Sequence, residues 1–201
     1  MLKNGKISHS DAKPRPFIHQ HMTRFDLPLL LEGTGHRGIE LGVAQGGFSR
    51  KMVDSGKFDI FFGVDVYGDR HDTAEYKTAL RHIGLEAPYR LLRMRFDEAL
   101  DLFEDESFDF IYIDGYAHTG EEGGQVLRDW FPKLKRGGLF AGDDYDPHWP
   151  LVIEAVDTVT AQLGAQLNLT GAPSGGGYNK FPSWFLVKDQ GMSLTTKKDA
   201  P

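Results

Sequence analysis

The sequence predicts an α/β protein built on an open, mostly parallel sheet, and three observations carry that expectation. From Arg37 onward, short apolar runs bounded by glycine alternate with segments of helical period. The alternation recurs five times, which calls for parallel strands joined by helices on both faces. The last two apolar runs, "AQLNLTG" and "SWFLVKD", have only the Gly- and Pro-rich "APSGGGYNKFP" between them. No helix fits that gap, so these two pair antiparallel. The expected sheet has seven strands, one of them antiparallel.

The elements follow in order. "GIELGV" is a buried strand and "FSRKMVDSG" a helix closed by Gly56. "FDIFFGVDVY" is the second strand. "DTAEYKTALRHIG" is a helix with Asp72 or Thr73 as its N-cap and Gly84 as its stop. "YRLLRMR" is a strand, "DEALDLFED" a short helix, and "FDFIYIDGY" the fourth strand. "GGQVLRDWFPKLKRGG" reads as a helix that Pro132 bends or splits, ending on Lys, Arg and paired Gly. "LFAGDD" is the fifth strand and "PLVIEAVDTVTAQLG" a helix ending at Gly164. The expected organisation is an N-terminal arm over 1–25, one domain over 26–189, and a polar, flexible tail over 190–201.

Composition narrows the function. The net charge of −6 disfavours nucleic acid as a partner, because no basic patch offsets it. With no cysteine, disulfides, thiol catalysis and Cys-ligated zinc are excluded. No apolar run approaches the ~20 residues that span a bilayer, and "MLKNGKISHS" lacks a signal-peptide core. No membrane partner and a cytoplasmic location are therefore expected. The sequence leaves a homo-oligomer open.

In open parallel sheets ligands sit beyond the carboxyl ends of the strands, so the strand exits carry the functional reading. The first exit, "GIELGVAQGGFS", lacks the second glycine of a dinucleotide fingerprint, since Ala44 stands there. Its pattern is E-x-G-x-x-x-G through Glu40, Gly42 and Gly46. That suits a ligand without phosphates; a plain strand-to-helix turn is the bland alternative. A little over 20 residues beyond, Asp65 ends the second strand, where an acid can accept both ribose hydroxyls. "FIYIDGYAH" delivers Asp114 at the fourth exit, and "LFAGDDY" delivers Asp143 and Asp144 at the fifth. Those strands are neighbours about 5 Å apart, so three carboxylates gather and repel. A hard divalent ion (Mg²⁺, Mn²⁺ or Ca²⁺) would relieve this. A cluster of turn-forming residues leading into a helix would also explain the run.

The order of these motifs resembles class I S-adenosylmethionine-dependent methyltransferases. "FDFIYIDG" followed by "LKRGGLFAGDDY" is the more specific part. The subgroup it is similar to is the small O-methyltransferases that include macrolide-sugar enzymes, with catechol O-methyltransferase more distant. The resemblance covers about residues 35–190 and implies a Rossmann-like fold with S-adenosylmethionine as cofactor. It implies that Glu40, Gly42 and Gly46 frame the methionine part, that Asp65 holds the ribose, and that Asp114 borders both cofactor and metal. Arg95 and Phe96 would border the adenine, where relatives often carry Gly-Asp-Ser or similar. Asp114, Asp143 and Asp144 fall on the Mg²⁺-binding places of the metal-dependent relatives. The ion would lower the pKa of an acceptor hydroxyl. His118, one position later than the subgroup's "DG-x-H", is the first candidate base, and His148 the second. The expected partner is a small hydroxylated acceptor. The rival readings are a metal-independent N- or protein methyltransferase and a non-catalytic nucleoside-binding member of the fold.

Overall fold

The computed structural model describes residues 15–68, 71–115, 122–171 and 180–194. Its elements in chain order are β1 (Phe17–His19), a 3-10 helix (Arg24–Leu30), β2 (His36–Leu41), α1 (Gly47–Asp54), β3 (Phe58–Asp65), α2 (Thr73–Ile83), β4 (Tyr89–Arg93) and α3 (Phe96–Leu100). These are followed by β5 (Phe108–Ile113), α4 (Gln125–Trp130), a 3-10 turn (Phe131–Lys133), β6 (Leu134–Gly142), α5 (Pro150–Leu163), β7 (Asn168–Thr170) and β8 (Trp184–Val187).

All the strands join one sheet in the order β1-β7-β8-β6-β5-β2-β3-β4. β8 runs antiparallel to both β6 and β7, and the remaining pairings are parallel. The antiparallel pair at the C-terminal end is as expected. The strand number is not: the described residues form eight strands rather than seven. The added strand is β1, which lies in the stretch expected to be an irregular arm. Phe17, Ile18 and His19 pair with Asn168, Leu169 and Thr170, and His19 Nε2 lies 3.0 Å from Asn168 Oδ1.

A second correction concerns "LKRGG". Its Lys, Arg and Gly fit the end of a helix, but α4 stops at Trp130 and the chain turns at Pro132, which has no N–H to donate. β6 already begins at Leu134, paired with Phe108 of β5. The helix starts read from caps are as expected. Asp72 Oδ1 accepts from Ala74 N at 2.8 Å and Glu75 N at 3.0 Å, and Gly164 closes α5 in the left-handed conformation.

Period-two alternation divides the core into two layers. Ile111 and Ile113 of β5, Phe140 of β6 and Trp184 of β8 face one side, where α3, α4 and α5 contribute Ala99, Trp130 and Val156. Phe110, Tyr112, Leu139 and Phe185 face the other, where Phe48 and Met52 of α1 and Ile83 of α2 pack. The 3-10 helix belongs to this second layer through Leu27, which is fully buried. Among the described residues no helix is long and apolar enough to cross a membrane.

Candidate functional site

The carboxyl ends of β2, β5 and β6 lie side by side, with Leu41 beside Ile113 and Ile113 beside Gly142. The ladder continues past the strands: Asp114 N donates to Leu41 O at 2.8 Å and Asp143 N to Ile113 O at 3.0 Å. The acids expected at the exits are therefore brought to one edge of the sheet.

At the β2 exit the chain needs glycine. Gly42 has φ of 97°, and a Cβ on it would lie 2.2 Å from the carbonyl oxygen of Asp114. Gly46 starts α1 in the left-handed conformation with φ of 79°. Asp65 holds this turn from the neighbouring strand. Its Oδ2 accepts from Val43 N at 2.9 Å and Ala44 N at 3.0 Å, and its Oδ1 accepts from Tyr67 N at 3.1 Å. Both Ala44 (φ 48°) and Tyr67 (φ 44°) are left-handed without being glycine. Such positions are costly, and they cluster at binding sites. The Tyr67 hydroxyl then donates to Ala44 O at 2.7 Å. Burial pushes that phenol pKa well up, with Asp65 adding to the shift, so the hydroxyl stays a donor. Asp65 thus spends three of its roughly four acceptor positions on the loops it joins.

Glu40 is 1% exposed and points toward α1, where the Ser49 hydroxyl donates to it. Ser49 Oγ also lies 3.0 Å from the Tyr89 hydroxyl. Burial raises the Glu40 pKa well above the ordinary glutamate value, and the Ser49 hydrogen bond opposes the shift.

The carboxylates at the β5 and β6 exits meet a residue that sequence reasoning missed. Arg24, at the start of the 3-10 helix, is 6% exposed. Its Nη1 lies 2.5 Å from Asp143 Oδ2 and 3.1 Å from Asp114 Oδ2. The guanidinium sits 5.2 Å from the Phe48 ring centroid and 5.6 Å from that of Phe25, within range of a cation–π attraction. Burial opposes its charge, but Tyr112, Asp114 and Asp143 outweigh that and hold it firmly protonated. The other oxygen of Asp143 accepts from Ser183 Oγ at 2.9 Å. Because Ser183 spends its proton there, the Tyr112 hydroxyl, 2.9 Å away, donates to Ser183. Burial pushes Asp143 up to about 6, against the opposing charge of Arg24.

The donor set does not fit the expected divalent ion. Arg24 and Ser183 take both oxygens of Asp143, and Arg24 takes an oxygen of Asp114. Among the described residues, no three or more His, Asp or Glu side chains are arranged to hold a metal. Asp144 is buried in the left-handed conformation with φ of 62°. His148 is exposed, with Nδ1 2.5 Å from Asp146 Oδ1, so its visible partner is a turn residue rather than an exit carboxylate. His118 lies outside the described residues. Tyr145 donates to Asp157 of α5 at 2.7 Å and so faces a helix.

Arg95 and Phe96 line a cleft of ≈ 230 Å³ with Glu122, Gln125 and Trp130. Phe96 also packs under the β5 exit, since a Cβ on Gly115 would lie 2.4 Å from its ring. Phe96 thus both packs against the strand exit and lines the cleft. Arg95 is held by Asp97 through bonds of 2.9 and 2.6 Å.

The arrangement forms one arc along the sheet edge. Asp65 ties Val43 and Ala44, Gly42 rests on Asp114, and Arg24 joins Asp114 to Asp143.

The family model described as "Methyltransferase domain" matches residues 39–145. Of the solved structures, a spermidine synthase bound to the transition-state analogue AdoDATO aligns with a TM-score of 0.60 at 18% identity, over 82% of this chain and 58% of that one. The N-methyltransferase NodS from Bradyrhizobium japonicum WM9 aligns with a TM-score of 0.60 at 15% identity, over 83% of this chain and 95% of its own. A Klebsiella pneumoniae protein whose O-methyltransferase assignment is itself provisional aligns with a TM-score of 0.55 at 17% identity, over 77% and 73%. At these identities the likeness is one of fold. The chain spans only 53% and 43% of two other solved methyltransferases, from Mesorhizobium loti and Galdieria sulphuraria. The search of curated proteins by sequence gave no match.

Proposed function

We propose that this chain, which belongs to the methyltransferase domain family, transfers the methyl group of S-adenosylmethionine to an oxygen of a small hydroxylated acceptor. The observation that carries the reading is the arc from Asp65 through the Gly42–Gly46 turn to Asp114, at the edge where open α/β sheets bind ligands. The left-handed turn lets a ligand approach the backbone. Asp65 keeps one acceptor position for a ribose hydroxyl, and Phe96 and Arg95 border the adenine end. Asp114, the most accessible of the Arg24-linked acids, faces the transferable methyl.

The acceptor oxygen attacks the sulfonium methyl in line, and the sulfur leaves as a neutral thioether. Positioning supplies much of the rate in such a step. An oxygen acceptor is supported by the order of the motifs and by carboxylates that can orient a hydroxyl through its proton. His118 remains the first candidate to take that proton, and His148 the second. A nitrogen acceptor is the rival, since the fold-level relatives include proteins named for both chemistries.

Calorimetry with S-adenosylhomocysteine, followed by transfer of labelled methyl from S-adenosylmethionine to paired panels of phenols, sugars and amines, tests the reading. The expected result is cofactor binding with label on the hydroxylated panel alone. Label only on amines overturns the acceptor class, and absence of cofactor binding overturns the activity.

A further inference from the structure

We infer that Arg24 is a built-in counter-cation, holding Asp114 and Asp143 where a divalent ion would otherwise be needed, so that the acceptor side works without a metal. The inference rests on the methyltransferase reading above and concerns the same edge of the sheet.

The geometry supports it in three ways. First, a hexacoordinate Mg²⁺ needs oxygens at about 2.0–2.1 Å with free lone pairs. Both Asp143 oxygens already accept, Oδ2 from Arg24 Nη1 at 2.5 Å and Oδ1 from Ser183 Oγ at 2.9 Å. An ion and a guanidinium cannot share Oδ2 without bringing two positive charges together. Second, the guanidinium is fixed. Phe25, Phe48 and Tyr112 surround it. Its helix is anchored by Asp26, whose Oδ2 accepts from Thr23 N and Thr23 Oγ1, both at 2.8 Å, and by buried Leu27. Third, the Tyr112 hydroxyl, 2.9 Å from Ser183 Oγ, closes the chain of donors on Asp143 without an ion. Two carboxylates on one guanidinium nitrogen, Asp143 buried and Asp114 partly exposed, need a cation between them, and this chain supplies one as a side chain. Arg24 acts through Asp114 and is a positioning residue. Its charge sets the carboxylate that faces the acceptor and polarises no acceptor oxygen directly.

Binding of Mn²⁺ alone, followed by electron paramagnetic resonance with S-adenosylhomocysteine present, tests this on the full chain. Wild type is expected to take up no Mn²⁺ at millimolar ion. Arg24→Met keeps the apolar packing on Phe48 but removes the charge, and it is expected to gain roughly tenfold or more in Mn²⁺ affinity as the carboxylates are released. Arg24→Lys keeps the charge and is expected to stay at the wild-type level. One equivalent of Mn²⁺ bound by wild type overturns the inference, and this arm needs no variant to fold. A folded Arg24→Met that gains nothing, or an Arg24→Lys that gains as much, also overturns it. Failure of S-adenosylhomocysteine to bind is read separately, as failure of the methyltransferase reading.

Discussion

Two carboxylate–cation clusters staple neighbouring strands at opposite ends of the sheet, and they share little beyond residue type. At the amino end, Asp109 of β5 lies 2.9 Å from Lys135 Nζ of β6 and accepts from Arg37 N of β2 at 2.8 Å. At the carboxyl end, Arg24 joins Asp114 and Asp143. The Lys135 side chain is 44% exposed and the Arg24 side chain 7%. Water and salt compete with the first pair and are largely excluded from the second. A surface staple can lose a partner cheaply because solvent replaces it. A buried one cannot, since the remaining charge has nowhere to go. Similar chemistry is thus incidental at one end and specifying at the other.

That contrast can be broken or sharpened by substitution. Arg24→Ala should have the largest effect, a loss of about 3–5 kcal/mol in denaturant unfolding, as expected when one partner of a buried ion pair is removed. A loss below about 1 kcal/mol would erase the difference between the two ends. Gly42→Ala comes next. Its new Cβ meets the Asp114 carbonyl at 2.2 Å, so the β2 and β5 exits must part. Calorimetry should show S-adenosylhomocysteine binding weakened by roughly tenfold or more.

Glu40→Gln sharpens the comparison from a third direction, because Glu40 is a buried acid that accepts from a hydroxyl, with Arg24 only opposing the effect of burial. Its pKa in the folded state lies well above the ordinary 4.5, chiefly through burial. Above pH 4.5 the folded state therefore holds a proton that the unfolded chain has released. Stability from this group falls as pH rises through that window, and it is fully present only below it. Melting temperatures measured against pH should fall more steeply for wild type than for Glu40→Gln, and parallel curves would contradict the assignment. Lys135→Ala should have the smallest effect, below about 1 kcal/mol, and should shrink further in high salt.

The strand exits were legible because their signals are local. Glu40, Gly42, Asp65, Asp114 and Asp143 each end an apolar run, and parallel pairing of β5 with β6 follows from chain order. Arg24 and Ser183 were not legible, because their partners lie far away in sequence, 90 and 119 residues for Arg24 and 40 for Ser183. A local cue did exist. Thr23-Arg24-Phe25-Asp26 before "LPLLL" has the spacing of a capping box, which marks a helical turn where an irregular arm was expected. The three residues of β1 are too few for periodicity to speak. "LKRGG" misled because Lys, Arg and Gly suit a helix end as well as a strand start, and Pro132 decides between them. The metal expectation followed from counting carboxylates without their nearest cation.

The pairing of β1 with β7 also bears on how the molecule is made. His19 meets Asn168, 149 residues later in the chain. At about 5–20 residues per second, a ribosome needs roughly seven to thirty seconds to span that gap. Phe17–His19 must wait that long for the strand they pair with among the described residues. Arg24 follows β1 closely, so the cation of the candidate site and the outermost strand come from one stretch of chain. Closing the sheet's far edge is then a late event in biosynthesis, and a chain released before residue 168 would lack the strand that Phe17–His19 pair with.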